Sequence, residues 1–188
     1  MADLRALYDK ASELFRDAVH KIKKDQWSAS TPCTEWDVRA LVKHLVYESL
    51  WVPPMLSGQT IAQIGDTYEG DILGTDPVAA WDKADGGARA AVTGLASLDS
   101  VTHLSFGDYP AEEYLMQVLF DLHIHGWDLR TAIGDETPMD DELTEYLYPW
   151  AEKTMAMYRA GGVVGPPPPI SDDANMQTRI LAEAGRKG

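Results

Sequence analysis

Apolar residues recur at three- and four-residue intervals through Leu4, Leu7, Ala11, Leu14, Phe15, Ala18 and Ile22. That spacing stacks them on one side of a helix and predicts a first helix from Ala2 to about Asp25. Trp27 to Pro32 interrupts it. Thr34, with Asp37 three residues later, fits a reciprocal cap that satisfies free amides at a helix start. A second helix is therefore expected from about Glu35 to Val52, ended by Pro53 and Pro54, because proline lacks the amide proton and disfavours helical geometry before it. Ser57 to Thr75 reads as a long acidic connection. Asp76 and Pro77 form a cap and first-turn pair that opens a third helix carrying Val78, Trp81, Ala84, Ala88, Ala91, Val92 and Leu95, with Gly86 and Gly87 weakening its middle.

Ser97 to Tyr109 is expected as a loop or short extended piece, followed by a fourth helix from Ala111 to about Ile133 that Pro110 opens and Gly134 closes. Pro138 and Asp140 open a fifth helix to about Arg159. The proline run Gly161 to Pro169 must be non-helical, and Ser171 to Ala184 is read as a short terminal helix closed by Gly185. No repeat and no strand alternation long enough for a sheet is present. The expected fold is all-α: one domain spanning 1–188, a four-helix bundle built on the first four helices with an additional C-terminal helical segment.

Composition narrows the function classes. The chain has 188 residues, 45% of them hydrophobic and 24% charged, the balance of a folded protein with a packed interior. Sixteen basic residues against thirty acidic ones give a net charge of -14, which repels phosphate backbones and anionic lipid and argues against nucleic-acid and membrane partners. Cys33 is the single cysteine, so no intrachain disulfide and no Cys-rich zinc site can form. Charges at Asp3, Arg5, Asp9 and Lys10 leave no apolar core for a signal peptide, and a cytoplasmic location is expected. A homodimer is left open as its self-association.

The chemistry-bearing stretch is Tyr114 to Arg130. A wheel at about 100 degrees per residue groups Tyr114, Gln117, Asp121, His125 and Asp128 into one polar stripe, and sets His123 roughly 160 degrees from His125. Such a stripe is commonly a solvent face, yet the apolar Met116, Leu119, Phe120 and Trp127 elsewhere on the helix argue that it is largely buried. Asp121 and His125, four apart, stand one turn above each other and could grip one ion. On the second helix, His44 sits at the border of the apolar face formed by Val38, Leu41, Val42 and Leu45. By itself it reads as a structural histidine paired with Glu48. Convergence of His44 with Asp121 and His125 would instead give two nitrogens and one oxygen, the incomplete set that leaves a catalytic zinc open; nickel or ferrous iron tolerates the same donors.

Thr31 to Leu45 (TPCTEWDVRALVKHL) and Asp121 to Leu129 (DLHIHGWDL) resemble the two signature segments of the DinB/YfiT-like metalloproteins, in the branch related to the N-terminal domain of mycothiol-dependent maleylpyruvate isomerase. The tail from Gly165 to Gly188, with its proline run and Ala184-Gly185-Arg186, is similar to single-domain members of that branch. The resemblance implies a four-helix bundle and a divalent metal, usually zinc, held by His44, Asp121 and His125. The acid in relatives is glutamate or histidine, and the shorter Asp121 would reposition the ion or bring in Asp128 as a neighbour. The isomerase has a second, C-terminal domain that contributes to its active site, for which this chain leaves no room.

Other candidates carry less. Cys33 is expected to pack on Val38 as a staple rather than act as a thiolate at a helix start. Trp36 and Trp127 are read as core anchors, His20 and His103 as incidental, and the acidic residues Asp66, Glu69, Asp71 and Asp76 as a solvated loop lacking calcium-ligand spacing. The expected function is a metal-dependent enzyme, a thiol S-transferase or isomerase-like protein. The resemblance suggests mycothiol or an equivalent as the thiol, with an electrophilic small molecule as co-substrate and Asp128, Glu48 or water as proton acceptor. The alternative is a non-catalytic bundle that binds a partner or small ligand, its metal structural or absent.

Overall fold

A computed structural model describes residues 3–187. Seven helices and one hairpin follow in the order α1 (Leu4–His20), α2 (Val38–Leu56), α3 (Ile61–Ile64), α4 (Pro77–Gly94), β1 (Val101–Leu104), β2 (Gly107–Pro110), α5 (Ala111–Ile133), α6 (Asp141–Ala160) and α7 (Met176–Glu183). Both α1 and α2 pack on α4 and on α5, so the bundle runs α1, α4, α2, α5 around its core. The buried faces are the ones the three-and-four spacing marks: Leu4, Leu7, Ala11, Phe15 and Ala18 on α1, and Val38, Leu41, Val42 and Leu45 on α2. Trp81 of α4 is fully enclosed and its ring lies 4.6 Å from that of Phe15, tying α4 to α1.

Local chemistry places most helix ends. The Asp76 carboxylate accepts from Ala79 N at 3.0 Å, Asp140 from Leu143 N at 3.0 Å, and Asn175 from Thr178 N at 2.8 Å, each relieving an amide that has no partner inside its helix. Gly134 ends α5 at a φ of 74°, in the left-handed region that side-chain-bearing residues avoid. The predicted span of α5 holds.

The start and end of α2 differ from expectation. Asp37, not Thr34, is the cap: its Oδ1 accepts from Ala40 N at 2.8 Å and the helix begins at Val38. Residues 30–37 form a tight loop instead, closed by an antiparallel bridge between Ser30 and Asp37 and by Thr31 Oγ1 donating to Trp36 O at 2.9 Å. Nor do the prolines end α2. Pro53 and Pro54 sit in its last turns, where their carbonyls still accept from Ser57 N and Gln59 N at 3.0 Å and where Met55 reaches the core. α1 stops at His20, short of the predicted Asp25; Ala2 lies outside the described residues.

Two small elements interrupt the predicted connections. α3 is opened by a capping box in which Thr60 and Gln63 satisfy each other's amides. The segment after α4 forms an antiparallel hairpin with Val101 opposite Pro110 and Leu104 opposite Gly107, the only sheet among the described residues. No helix of the described residues is long and apolar enough to cross a membrane.

Candidate metal centre

α2 and α5 face each other across the cleft end of the bundle, and the side chains that meet there come from turns facing one another. The leucines and valines of α2 bury its inner face, which leaves His44 half-buried at the edge. On α5 the polar stripe is not a solvent face. Tyr114, His125 and Asp128 are buried and Asp121 is half-buried, because both sides of this helix pack against neighbours.

The stripe brings Asp121 under His44. His44 Nε2 lies 2.7 Å from Asp121 Oδ2, and His125 Nε2 lies 3.3 Å from Asp121 Oδ1. One ligand-type atom from each of the three residues falls within 4.8 Å of the other two. Among the described residues no other His, Cys, Asp or Glu joins this group. The expected pairing of His44 with Glu48 is replaced by pairing with Asp121. The two imidazoles meet edge to face at 5.2 Å between ring centres. Trp36, expected as a core anchor, is half-buried and packs on both rings, at 4.7 Å from His44 and 5.4 Å from His125.

Charge follows geometry. Burial alone would raise the Asp121 carboxyl, but the His44 and His125 imidazoles hold it well below the ordinary carboxylate range. Burial pulls His125 down, yet Asp121 and Asp128 together push it up to about 9. His44 is likewise raised by Asp121 against the effect of burial. Without an ion, then, the cluster takes up protons, the response of imidazoles crowded by carboxylates. Two imidazole nitrogens and one carboxylate oxygen, brought together from two helices, form a donor set that suits zinc, nickel or ferrous iron.

Behind His125 a second layer fixes the ring. Asp128 is fully buried and its Oδ2 accepts from His125 Nδ1 at 2.9 Å, which leaves Nε2 directed at Asp121. Arg186, from the segment after α7, donates to the same carboxylate at 2.8 Å. His123 points elsewhere, as the wheel requires: it is buried, bonded to Thr144 Oγ1 at 2.8 Å, and pushed down to about 3 by burial, with Arg130 adding to the effect.

Two cavities flank the triad. The larger, about 550 Å3, is lined by Cys33, Trp36, His44, His125, Val164 and Arg186 among others; the smaller, about 210 Å3, by His44, Glu48, Tyr114, Asp121, Trp150 and Tyr158 among others. Cys33 lies in the loop that precedes α2. Burial pushes its thiol up more strongly than Arg186 pulls it down, which disfavours the thiolate.

Residues 8–130 match the family described as the mycothiol maleylpyruvate isomerase N-terminal domain, about two thirds of the chain. The chain belongs to this family. Two Mycobacterium tuberculosis proteins, Rv0738 and MT0763, both uncharacterised, are each 26% identical to it over 136 residues, covering 72% of this chain and 70% of theirs. The crystal structure of a histidine-to-alanine mutant of mycothiol-dependent maleylpyruvate isomerase superposes with a TM-score of 0.71 at 12% identity, covering 97% of this chain and 88% of that one, so the two share the DinB/YfiT-like fold.

The remaining sequence candidates in this family member divide cleanly. His20 pairs with Asp82 and His103 with Asp108, and neither joins the triad. In the acidic connection, Asp71 accepts from Gly74 N and Asp76 caps α4; among the described residues these acids form no ligand cluster. Sequence spacing assigns no role to Arg186, Tyr158 or Val164. They follow the α5 motif at a distance along the chain and reach the site only through tertiary packing.

Proposed function

We propose that the protein is a divalent-metal-dependent enzyme, acting in the cytoplasm, that transfers the sulfur of a small thiol such as mycothiol to an electrophilic small molecule. His44, Asp121 and His125 would hold the ion, zinc first among the candidates. The observation that carries this reading is the convergence of those three donors at the junction of two cavities, with His44 and Asp121 still partly exposed. Three protein ligands leave room for a further one, the pattern of catalytic rather than structural sites. When bound, the ion would supply a Lewis acid that lowers a thiol pKa from about 8.5 towards neutrality. The solved relative is a mycothiol-dependent isomerase, which supports mycothiol as the thiol.

The chain's own residues have definable roles. Asp128 and Arg186 orient His125. Trp36 packs against the two imidazoles and helps to hold their orientation. Asp128 is unsuited to accept a proton from an incoming thiol, being fully buried and already bonded to His125 and Arg186. Glu48 is the better acceptor. It lines the smaller cavity and is only half-buried, and in the ion-free protein burial, aided by Asp121, pushes its carboxyl up to about 7.

The test is conjugation of a small thiol to an electrophile by protein purified without added metal and without a histidine tag, with metal content measured on the same sample. Activity is expected with the metal-loaded protein and with Cys33→Ser, and is expected to vanish on chelation and in Asp121→Ala. Activity that survives chelation but disappears with Cys33 would move the chemistry to the cysteine. Inactivity across a broad panel of thiols and electrophiles would favour a binding module.

A further inference from the structure

Between α6 and α7 the chain passes along the edge of both cavities beside the triad, and it is not fastened there. Val163 and Val164 line both cavities and Gly165 lines the larger one. Val163 N still donates to Tyr158 O, and bonding resumes where Ser171 O accepts from Ala174 N, each at 3.0 Å. From Val164 to Ile170, neither backbone nor side chain makes a hydrogen bond among the described residues. The two ends, by contrast, are clamped. Arg159, near the end of α6, donates to both the carbonyl and the carboxylate of Glu183 in α7, each at 3.0 Å. Arg179 of α7 donates to the carbonyls of Asp172 and Ala174.

Stiffness lies in between. Each of Pro166 to Pro169 fixes its own φ, and a residue before proline is driven to extended backbone, so the run is an arm of about 12 Å with no internal hydrogen bonds. Its joint is at the root, where Gly161 and Gly162 end α6 and Gly162 takes a φ of 74°. The arm rests on the C-terminal turn through backbone alone: a Cβ on Gly185 would come within 3.2 Å of Gly165 O. That contact and the half-buried Val164 hold it down. Val163 stays exposed at the rim, apolar surface that an occupant of either cavity would cover.

We propose that residues 163–170 form a gate beside the triad: a proline-stiffened arm that swings about Gly161 and Gly162, opens to admit a small molecule and settles back on it through Val163 and Val164. Segments with few bonds and few buried contacts open most readily, and lids are drawn from them. The gate acts on whatever enters, so only its link to thiol transfer rests on the proposed function.

Cys33 supplies the reporter, being the single cysteine and lining the larger cavity together with the arm. Chelated protein is labelled with N-ethylmaleimide and with the bulky N-(1-pyrenyl)maleimide, which share one chemistry and differ in size. The ratio of their rates is compared with the ratio in urea-unfolded protein. Folding is expected to disfavour the bulky reagent by about tenfold or more, since it needs an opening that the small one does not. Val164→Ala, which loosens the contact, should shrink that factor by about threefold or more. So should a variant carrying Pro166→Gly, Pro167→Ser, Pro168→Gly and Pro169→Ser, which restores the chain freedom that proline removes. Pro166 to Pro169 are absent from the lining of both cavities, so a change in that variant reports motion rather than a wider hole. Circular dichroism checks that each variant is folded under the labelling conditions. Equal ratios in folded and unfolded parent, or an unchanged ratio in either variant, would overturn the gate. A responsive gate in protein inactive towards thiols would stand without the reaction; thiol transfer with unchanged ratios would leave the reaction without the gate.

Discussion

Arg186 donates to Asp128 at 2.8 Å across 58 positions of sequence, and Asp128 is wholly enclosed. This pair fastens the end of the chain to the back of His125. Removing one member of a buried ion pair strands the other, which typically costs about 3–5 kcal/mol. Arg186→Ala is expected to destabilise the protein by about 3 kcal/mol in denaturant unfolding, at the low end because His125 still bonds to Asp128. Asp128→Asn should fold but weaken ion binding about 10- to 100-fold, since it loosens the ring that carries a donor. Unchanged affinity in that variant would make the pair purely structural.

Protein purified without added metal should carry about one divalent ion per chain. Alanine at His44, Asp121 or His125 should each remove most of it. His123→Ala should retain it, because that ring is bonded to Thr144 and belongs to a different part of the interior. Elemental analysis of folded samples checks all four, and full occupancy in a His44 and His125 double variant would exclude the assignment.

Affinity for the ion should depend on pH well above the usual histidine range. In the ion-free protein His125 is raised to about 9, so an ion must displace its proton at neutral pH. Binding should strengthen by about tenfold or more per pH unit, the steeper part where His44 also gives up its proton, and level off beyond about pH 9. The sign for stability is opposite. A raised folded-state pKa contributes stability that is complete below about 6.5 and lost as pH rises through about 9, so the chelated protein should melt at lower temperature in mild alkali. Melting curves of chelated and loaded samples that move in parallel over that interval would refute the shift.

His123 predicts an acid response of its own. Its folded-state pKa is depressed to about 3, so the stability it contributes is complete above about 6.5 and is lost as pH falls towards 3. The slope is about 1.4 kcal/mol per pH unit for the one proton involved. His123→Gln, which cannot titrate, should flatten the stability curve of the ion-free protein in that interval by the same amount. Superimposable curves would assign the acid response to other groups.

Most of the bundle is legible in the sequence because its signals are local. The three-and-four spacing of Leu4 to Ala18, the cap and proline at Asp76 and Pro77, and the glycine at 134 act within a turn or two, and the structure keeps them. Where two local signals compete, the sequence alone does not choose. Thr34 and Asp37 are both good caps, and the bridge from Ser30 to Asp37 decides between them. Pro53 and Pro54 break helices on average, but burial of Met55 carries α2 past them. The Thr60 and Gln63 capping box opens a helix of a single turn, too short to show a periodic apolar face inside an acidic stretch. At the site, the wheel on α5 separates His123 from His125 and groups Asp121 with His125. It cannot place His44 against them, nor bring Arg186, Tyr158 and Val164 to the same cleft, since those meetings depend on packing between distant segments.

Residues 161–175 belong to no regular element, and Val163, 73% exposed, stands with Val164 on the lining of both cavities. A position so poorly buried contributes little to the core, so its replacement is cheap in stability. Yet any side chain placed there meets whatever enters either cavity. Exchanges in the span between α6 and α7 are therefore expected to change what the two cavities admit while leaving the bundle and its histidines as they are.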